Sequence, residues 1–129
     1  MGFFGRFKRG YEISLNRVHD TVTISENGEK LTLTVNADPM RLVAGLNTAQ
    51  KKLNALVVDA EGKAKEKDPP IEEMQEAAEL FAAVIFGNEQ AQRLKEFYAN
   101  DAACIISVCG TYFRERLGKK IEQVQKRIG

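Results

Sequence analysis

The stretch Thr21-Val-Thr-Ile-Ser-Glu-Asn-Gly-Glu-Lys-Leu-Thr-Leu-Thr-Val35 decides how this chain begins to fold, and Asp38-Pro39 decides where that fold changes character. Two alternating apolar and polar runs flank Asn27-Gly28. Asn-Gly suits two consecutive residues at positive φ, a turn whose twist matches that of paired strands, so the stretch reads as a β-hairpin. A two-residue turn there sets Glu26 opposite Glu29. It follows that Ile24 faces Leu31 and Val22 faces Leu33 on one side, with Thr23-Thr32 and Thr21-Thr34 on the other. The apolar side has to be covered, because two strands alone are marginal in water. Upstream, Tyr11, Ile13 and Leu15 alternate with polar residues and predict a third short strand, giving a hairpin region over 11–36.

Beyond Asp38, the pattern is helical. Asp38 is a good N-cap and Pro39 a good first helical residue. Leu42, Leu46, Ala49, Leu53, Leu56 and Ala60 recur at spacings of three and four, widened by Val43 and Val57, and predict a core-facing helix that ends near Gly62. Lys63 to Pro70 is charged and then stopped by proline, which reads as an exposed connection. A second helix carries Ile71, Met74, Ala78, Phe81 and Ile85, with Ala77, Val84 and Phe86 beside them, and stops at Gly87. Asn88 is expected to cap a short third helix bearing Ala91, Leu94, Phe97 and Tyr98.

Asn100 or Asp101 caps the last helix, whose stripe is Ile105, Cys109, Tyr112 or Phe113, Leu117, Ile121, Val124 and Ile128. Such a helix spans about 40 Å. That length predicts final turns projecting past the core, with Leu117, Ile121, Val124 and Ile128 offered to a partner helix. On that reading, aspartate at Ile121 and Val124 leaves folding intact and removes only the partner.

The bulk numbers bound the function. A chain of 129 residues with 43% hydrophobic and 29% charged content fits one globular domain over 1–129. Nineteen basic against 18 acidic residues leave no net field to gather nucleic acid. No apolar run reaches membrane-spanning length, and no apolar secretory segment opens the chain, so a cytoplasmic protein is expected. Residues 1–10 form a basic-aromatic arm, with Phe3, Phe4 and Phe7 among Arg6, Lys8 and Arg9, too short to hold a membrane alone.

Catalytic and ligand chemistry is sparse. His19 is the only histidine and has no nucleophile or carboxylate motif around it, so a hydrogen-bonded surface residue is expected. Cys104 and Cys109, five apart in one helical pattern, point to different sides of the helix, as packed, reduced thiols. Glu72, Glu73, Glu76 and Glu79 read as an exposed acidic face near a helix N-terminus, not as metal ligands. No phosphate-loop or zinc pattern is present. The reading is therefore a non-enzymatic interaction module with no catalytic residue, cofactor or metal.

A family resemblance sharpens this. The hairpin Ile24-Ser-Glu-Asn-Gly-Glu-Lys-Leu-Thr-Leu-Thr-Val35 is followed by Leu80-Phe-Ala-Ala-Val-Ile-Phe-Gly-Asn-Glu-Gln-Ala-Gln-Arg-Leu-Lys-Glu-Phe-Tyr98 and by Tyr112-Phe-Arg-Glu-Arg-Leu-Gly-Lys-Lys-Ile121. Over roughly residues 20–125, this layout resembles the small tail proteins of siphophages and prophages of Gram-positive bacteria, in particular their tail assembly chaperones. The resemblance implies a protein that coats the long helical tape-measure protein through apolar helical surfaces until tube subunits replace it. Two candidate partner-binding surfaces follow: Phe81, Ile85 and Phe86 near the Gly87 break, and Leu117, Ile121, Val124 and Ile128. The alternatives are a structural virion subunit (tail tube or head-tail connector), or a regulatory or nucleic-acid-binding module using Arg6, Lys8, Arg9, Lys119, Lys120, Lys126 and Arg127. The expected fold is α+β and mainly α, an N-terminal antiparallel hairpin of two or three strands on a bundle of about four helices over 39–128. A self-associating protein is expected, with a tape-measure or other tail protein as partner and neither nucleic acid nor membrane.

Overall fold

The structure, a computed structural model, describes residues 17–128. The arm over 1–10 and the third strand expected at Tyr11, Ile13 and Leu15 lie outside the described residues. Strands β1 (Val18–Glu26) and β2 (Glu29–Ala37) pair antiparallel, and five helical segments follow: α1 (Pro39–Val57), α2 (Ile71–Phe86), α3 (Asn88–Phe97), α4 (Ala102–Tyr112) and α5 (Gly118–Ile128). A π-helical turn, Phe113–Leu117, joins α4 to α5 without a break, so these two form one long helix and the bundle has four rods. The fold is α+β and mainly α.

The hairpin forms in the register its turn dictates. Asn27 and Gly28 sit at φ 51° and 83°, and Val22 pairs with Leu33, Ile24 with Leu31 and Thr23 with Thr32. Val18, Ile24, Leu31, Leu33 and Val35 are buried on the inner face, while the threonines stand in solvent. The helices cover that inner face: β2 lies on α2 and α3, and β1 on α5. The outward edge of β2 is closed by a side chain. Gln90 of α3 donates to the Thr34 carbonyl at 2.6 Å and accepts from the Thr34 amide at 2.8 Å, standing in for a neighbouring strand.

Helix α2 is the centre of the bundle, packed against α1, α3 and α4. It touches its neighbours through Ala77, Ala78 and Ala82, all buried, so the rods approach closely. Against α1 the approach is tighter still: a Cβ on Gly45 would lie 2.8 Å from Val84 Cγ1. Asp38 caps α1, accepting from the Met40 amide at 2.9 Å, and Asp101, not Asn100, caps α4, accepting from the Cys104 amide at 3.2 Å. Asn88 makes no side-chain cap; it is already the first residue of α3, with Gly87 before it at φ 88°.

Two further sequence expectations are corrected. Helix α1 stops at Val57, about a turn short of Gly62. Val58 turns extended and bridges Ala64, while the Asp59 carboxylate accepts from the amides of Glu61 and Lys63, a local bond set that outcompetes further helix. Ala60 is therefore exposed and belongs to no helical stripe. The final turns of the long helix also do not project. Leu117, Ile121 and Val124 are buried against the hairpin and the bundle, because the expected length counted a straight rod beside a globule and left out the hairpin that lies along it. The Ile128 side chain is outside the described ones.

Two outcomes follow. Gly45→Ala lowers unfolding free energy by about 1 kcal/mol although alanine is the better helix former, because overpacking against Val84 outweighs propensity; in a Val84→Ala background the same change stabilises, read by urea unfolding of the four variants. Ile121→Asp with Val124→Asp removes the cooperative thermal transition, since two unpaired charges enter the core at a cost on the order of 4 kcal/mol or more.

Candidate partner-binding site

Helices α1 and α4 both lie on α2, and between them is a cleft of 360 Å³. Its walls are Leu46 and Leu53 of α1, Phe81 and Ile85 of α2, and Ile106, Cys109 and Phe113 of the α4 side. Asn47, Gln50 and Arg114 supply the polar rim. The cleft exists because the apolar stripe of α1 is longer than the surface offered to it. Leu42 and Ala49 are fully buried against α2, whereas Leu46 and Leu53 remain only partly covered. Phe113 is 41% exposed at the mouth. Apolar walls with a few polar groups around the edge are the usual make-up of a binding cleft, and this volume falls within the usual range.

Phe113 follows Cys109 by one regular helical turn, its amide bonded to the Cys109 carbonyl, and stands beside it on the wall of the cleft. From Cys109 the straight α-helical stripe runs to Phe113 and then Leu117. The chain instead buries Tyr112 and takes five residues to reach Leu117, a step that the π turn absorbs. Tyr112 is held inside by two contacts. Its ring stacks on Phe86, with centroids 6.0 Å apart, and its hydroxyl donates to Asp20 Oδ2 at 3.0 Å.

Asp20 is the other half of this arrangement. It stands on the inner face of β1 between Val18 and Val22, with its side chain only 6% exposed. Arg116, within the π turn, grips it in two-pronged fashion, Nε to Oδ2 at 2.8 Å and Nη2 to Oδ1 at 2.9 Å, and the Thr21 amide donates to Oδ1 at 2.9 Å. Burial pulls the Asp20 carboxyl upward, but the Arg116 guanidinium, the Thr21 amide and the Tyr112 hydroxyl outweigh it and hold the group below its ordinary range. Burial first, and then the Asp20 carboxylate, push the Tyr112 phenol well above its ordinary value, so it stays a donor at neutral pH.

The other candidate groups fall as follows. Phe81 and Ile85 line the cleft, whereas Phe86 turns into the core against Tyr112. Leu117, Ile121 and Val124 are core, as described above. Both cysteines are free thiols; burial pushes Cys109 up to about 12, so at neutral pH it lines the cleft as a protonated, apolar group. His19 is exposed on the outer face of the hairpin. On the acidic face of α2, Glu76 and Glu79 pair with Lys52 and Lys95 at 3.8 and 3.3 Å. Among the described residues, no helix is long and apolar enough to cross a membrane.

Sequence reasoning missed Leu46, Leu53, Ile106 and Phe113 as a set, because nothing in a periodic stripe tells which of its members a neighbour covers. It also missed Asp20, for which a signal existed: a carboxylate where the alternation Val18, Val22, Ile24 demands an apolar residue. Comparison with protein-family models, with curated proteins and with solved structures finds no match.

The Asp20 clasp has a defined pH signature. A folded-state carboxyl held below its unfolded value, about 3.9, contributes stability that is complete above that value and lost as pH falls through the folded one. Asp20→Asn is expected to lower Tm by about 5 °C at neutral pH. The gap to the unsubstituted protein stays constant down to about pH 5 and closes below about pH 4, as followed by circular dichroism melts across that range.

Proposed function

We propose that this protein is a non-enzymatic tail morphogenesis factor of a phage or prophage, a tail assembly chaperone that holds the tape-measure protein in the bacterial cytoplasm through its apolar cleft. Two kinds of support come together. The layout of hairpin, Gly87 break and closing helix resembles that group of proteins, and the cleft between α1, α2 and α4 offers what such a protein requires. The single observation that carries the reading is the partly covered row Leu46, Leu53, Phe81 and Phe113, apolar side chains on three helical segments that converge on one opening.

A groove of this form suits an amphipathic helix, which sets apolar side chains from successive turns into the opening and leaves its polar face in water. Asn47, Gln50 and Arg114 can then bond to the polar flanks of the guest. A long helical tape-measure chain presents such segments repeatedly, so modest affinity per site suffices when many copies coat it. Release needs no chemistry: tube subunits that bind the same segments more tightly displace the chaperone by mass action.

The test is co-expression with the tape-measure protein encoded beside it. The expected outcome is a soluble complex that co-purifies. Leu53→Glu with Phe113→Glu reduces the recovered partner at least about tenfold, because charged groups in the cleft lose the apolar burial and pay desolvation, while Tm moves by only a few degrees. A partner that stays insoluble and unbound overturns the chaperone reading, and ordered rings of the pure protein favour a structural tail subunit in its place.

A further inference from the structure

The two edges of the hairpin are finished differently. Gln90 bonds both the amide and the carbonyl of Thr34, so these two groups point away from β1. Thr34 stands opposite Thr21, and in an antiparallel ladder both members of such a pair turn their backbone groups outward. With a period of two, Thr23 and Ser25 do the same. Among the described residues, no partner meets the amides and carbonyls of Thr23 and Ser25; the Thr21 amide is taken by Asp20 Oδ1. This edge is not blunted either: over nine residues β1 pairs without a bulge and carries neither proline nor lysine. Beside it, between β1 and α4, runs a groove of 480 Å³ that shares no lining residue with the apolar cleft. Tyr112 and Arg116 meet Asp20 at one end, and Tyr98 stands beside Glu26 at the other, so strand and helix run antiparallel along it. Val22 and Val108, both only partly covered, are its apolar lining, and Ser107 and Thr111 add hydroxyls.

We propose that this groove takes an extended segment of another protein, with a basic residue at each end, which adds to β1 as a third strand. Backbone groups facing outward at every second residue are matched by an extended chain and not by a helix, whose own amides and carbonyls are already bonded to each other. From Asp20 to Glu26 the edge covers about 20 Å, room for a guest of about six residues. Alternate side chains of such a guest fall on Val22 and Val108, and the others stay in water. The charges choose the partner. Three charged residues line the groove: Arg116 is bound to Asp20, whereas Glu26 and Glu115, at opposite ends, form no ion pair among the described residues. Lysine or arginine at each end of the guest meets one of these carboxylates. The same carboxylates act against a second copy of this chain. Two β1 edges paired about a two-fold axis bring the Glu26 of each copy to the Glu115 end of the other, a contact of like charges.

The probe is the blocked peptide Lys-Val-Thr-Val-Thr-Val-Lys, titrated into the full chain and followed by NMR. The expected result is saturable binding with Kd below about 1 mM, at which the amides of Thr23 and Ser25 exchange several-fold more slowly. Glu26→Lys with Glu115→Lys, both at exposed positions, weakens binding at least about tenfold. The same peptide with glutamate in place of its two lysines binds that variant better than it binds the unsubstituted protein. No binding at about 1 mM overturns the proposal, and so does binding that the charge exchange leaves unchanged. Thr23 and Ser25 amides already protected in the pure protein overturn it as well. Protection that is the same at every concentration means that the chain covers its own edge, and protection that grows with concentration means that a second copy does. The inference is independent of the chaperone reading: the peptide tests the groove beside β1, co-expression tests the apolar cleft, and either can fail alone.

Discussion

The bond set around Asp20 is the constraint on which the arrangement of this protein rests. A buried carboxylate on the inner face of a strand is tolerable only when charge and hydrogen bonds satisfy it. Here the partners come from the far end of the chain, Tyr112 and Arg116 reaching back more than ninety residues. To present both, the long helix must bury Tyr112 in place of Phe113 and still return Leu117, Ile121 and Val124 to the core. Inserting one π turn does this. With Tyr112 taken into the core, its neighbour Phe113 is left at the mouth of the cleft, so a structural need in one place leaves an apolar contact surface in another.

The cleft has a second cause, in α2. A helix faced with alanine lets its neighbours come close, and the contact of Gly45 with Val84 draws the first half of α1 onto it. On the other flank, α4 must keep company with the hairpin through Tyr112. The two rods are pulled towards different neighbours, and the second half of the α1 stripe is left with only partial cover. Apolar groups left in water carry a standing free-energy cost. Such a surface is where a partner gains most by docking.

Local chemistry made much of the fold legible. Asn27-Gly28 fixed the turn and with it every cross-strand pair, because a two-residue loop admits one register. Asp38-Pro39 marked a helix start, and Asn100-Asp101 another of which the structure uses Asp101, through side-chain bonds that span only two or three residues. Gly87 marked a stop through another local property, the freedom of glycine to take φ 88°. By contrast, the early end of α1 at Val57 depended on Asp59 capturing two amides, a competition that the apolar periodicity does not register. Gln90 gave no signal at all, since a glutamine on a helix acquires its role only when a strand edge lies beside it.

What the sequence determined by itself was the class of fold, the hairpin and its register, and the number of helical rods, all of them consequences of interactions between near neighbours. The choice between Tyr112 and Phe113, the burial of Ile121 and Val124 and the existence of the cleft belonged to tertiary structure. In each case, side chains equally apolar on paper compete for a limited area of core. Which of them gains it depends on contacts between residues far apart in the chain, such as Asp20 with Arg116 and Gly45 with Val84, and these form only when the whole molecule closes.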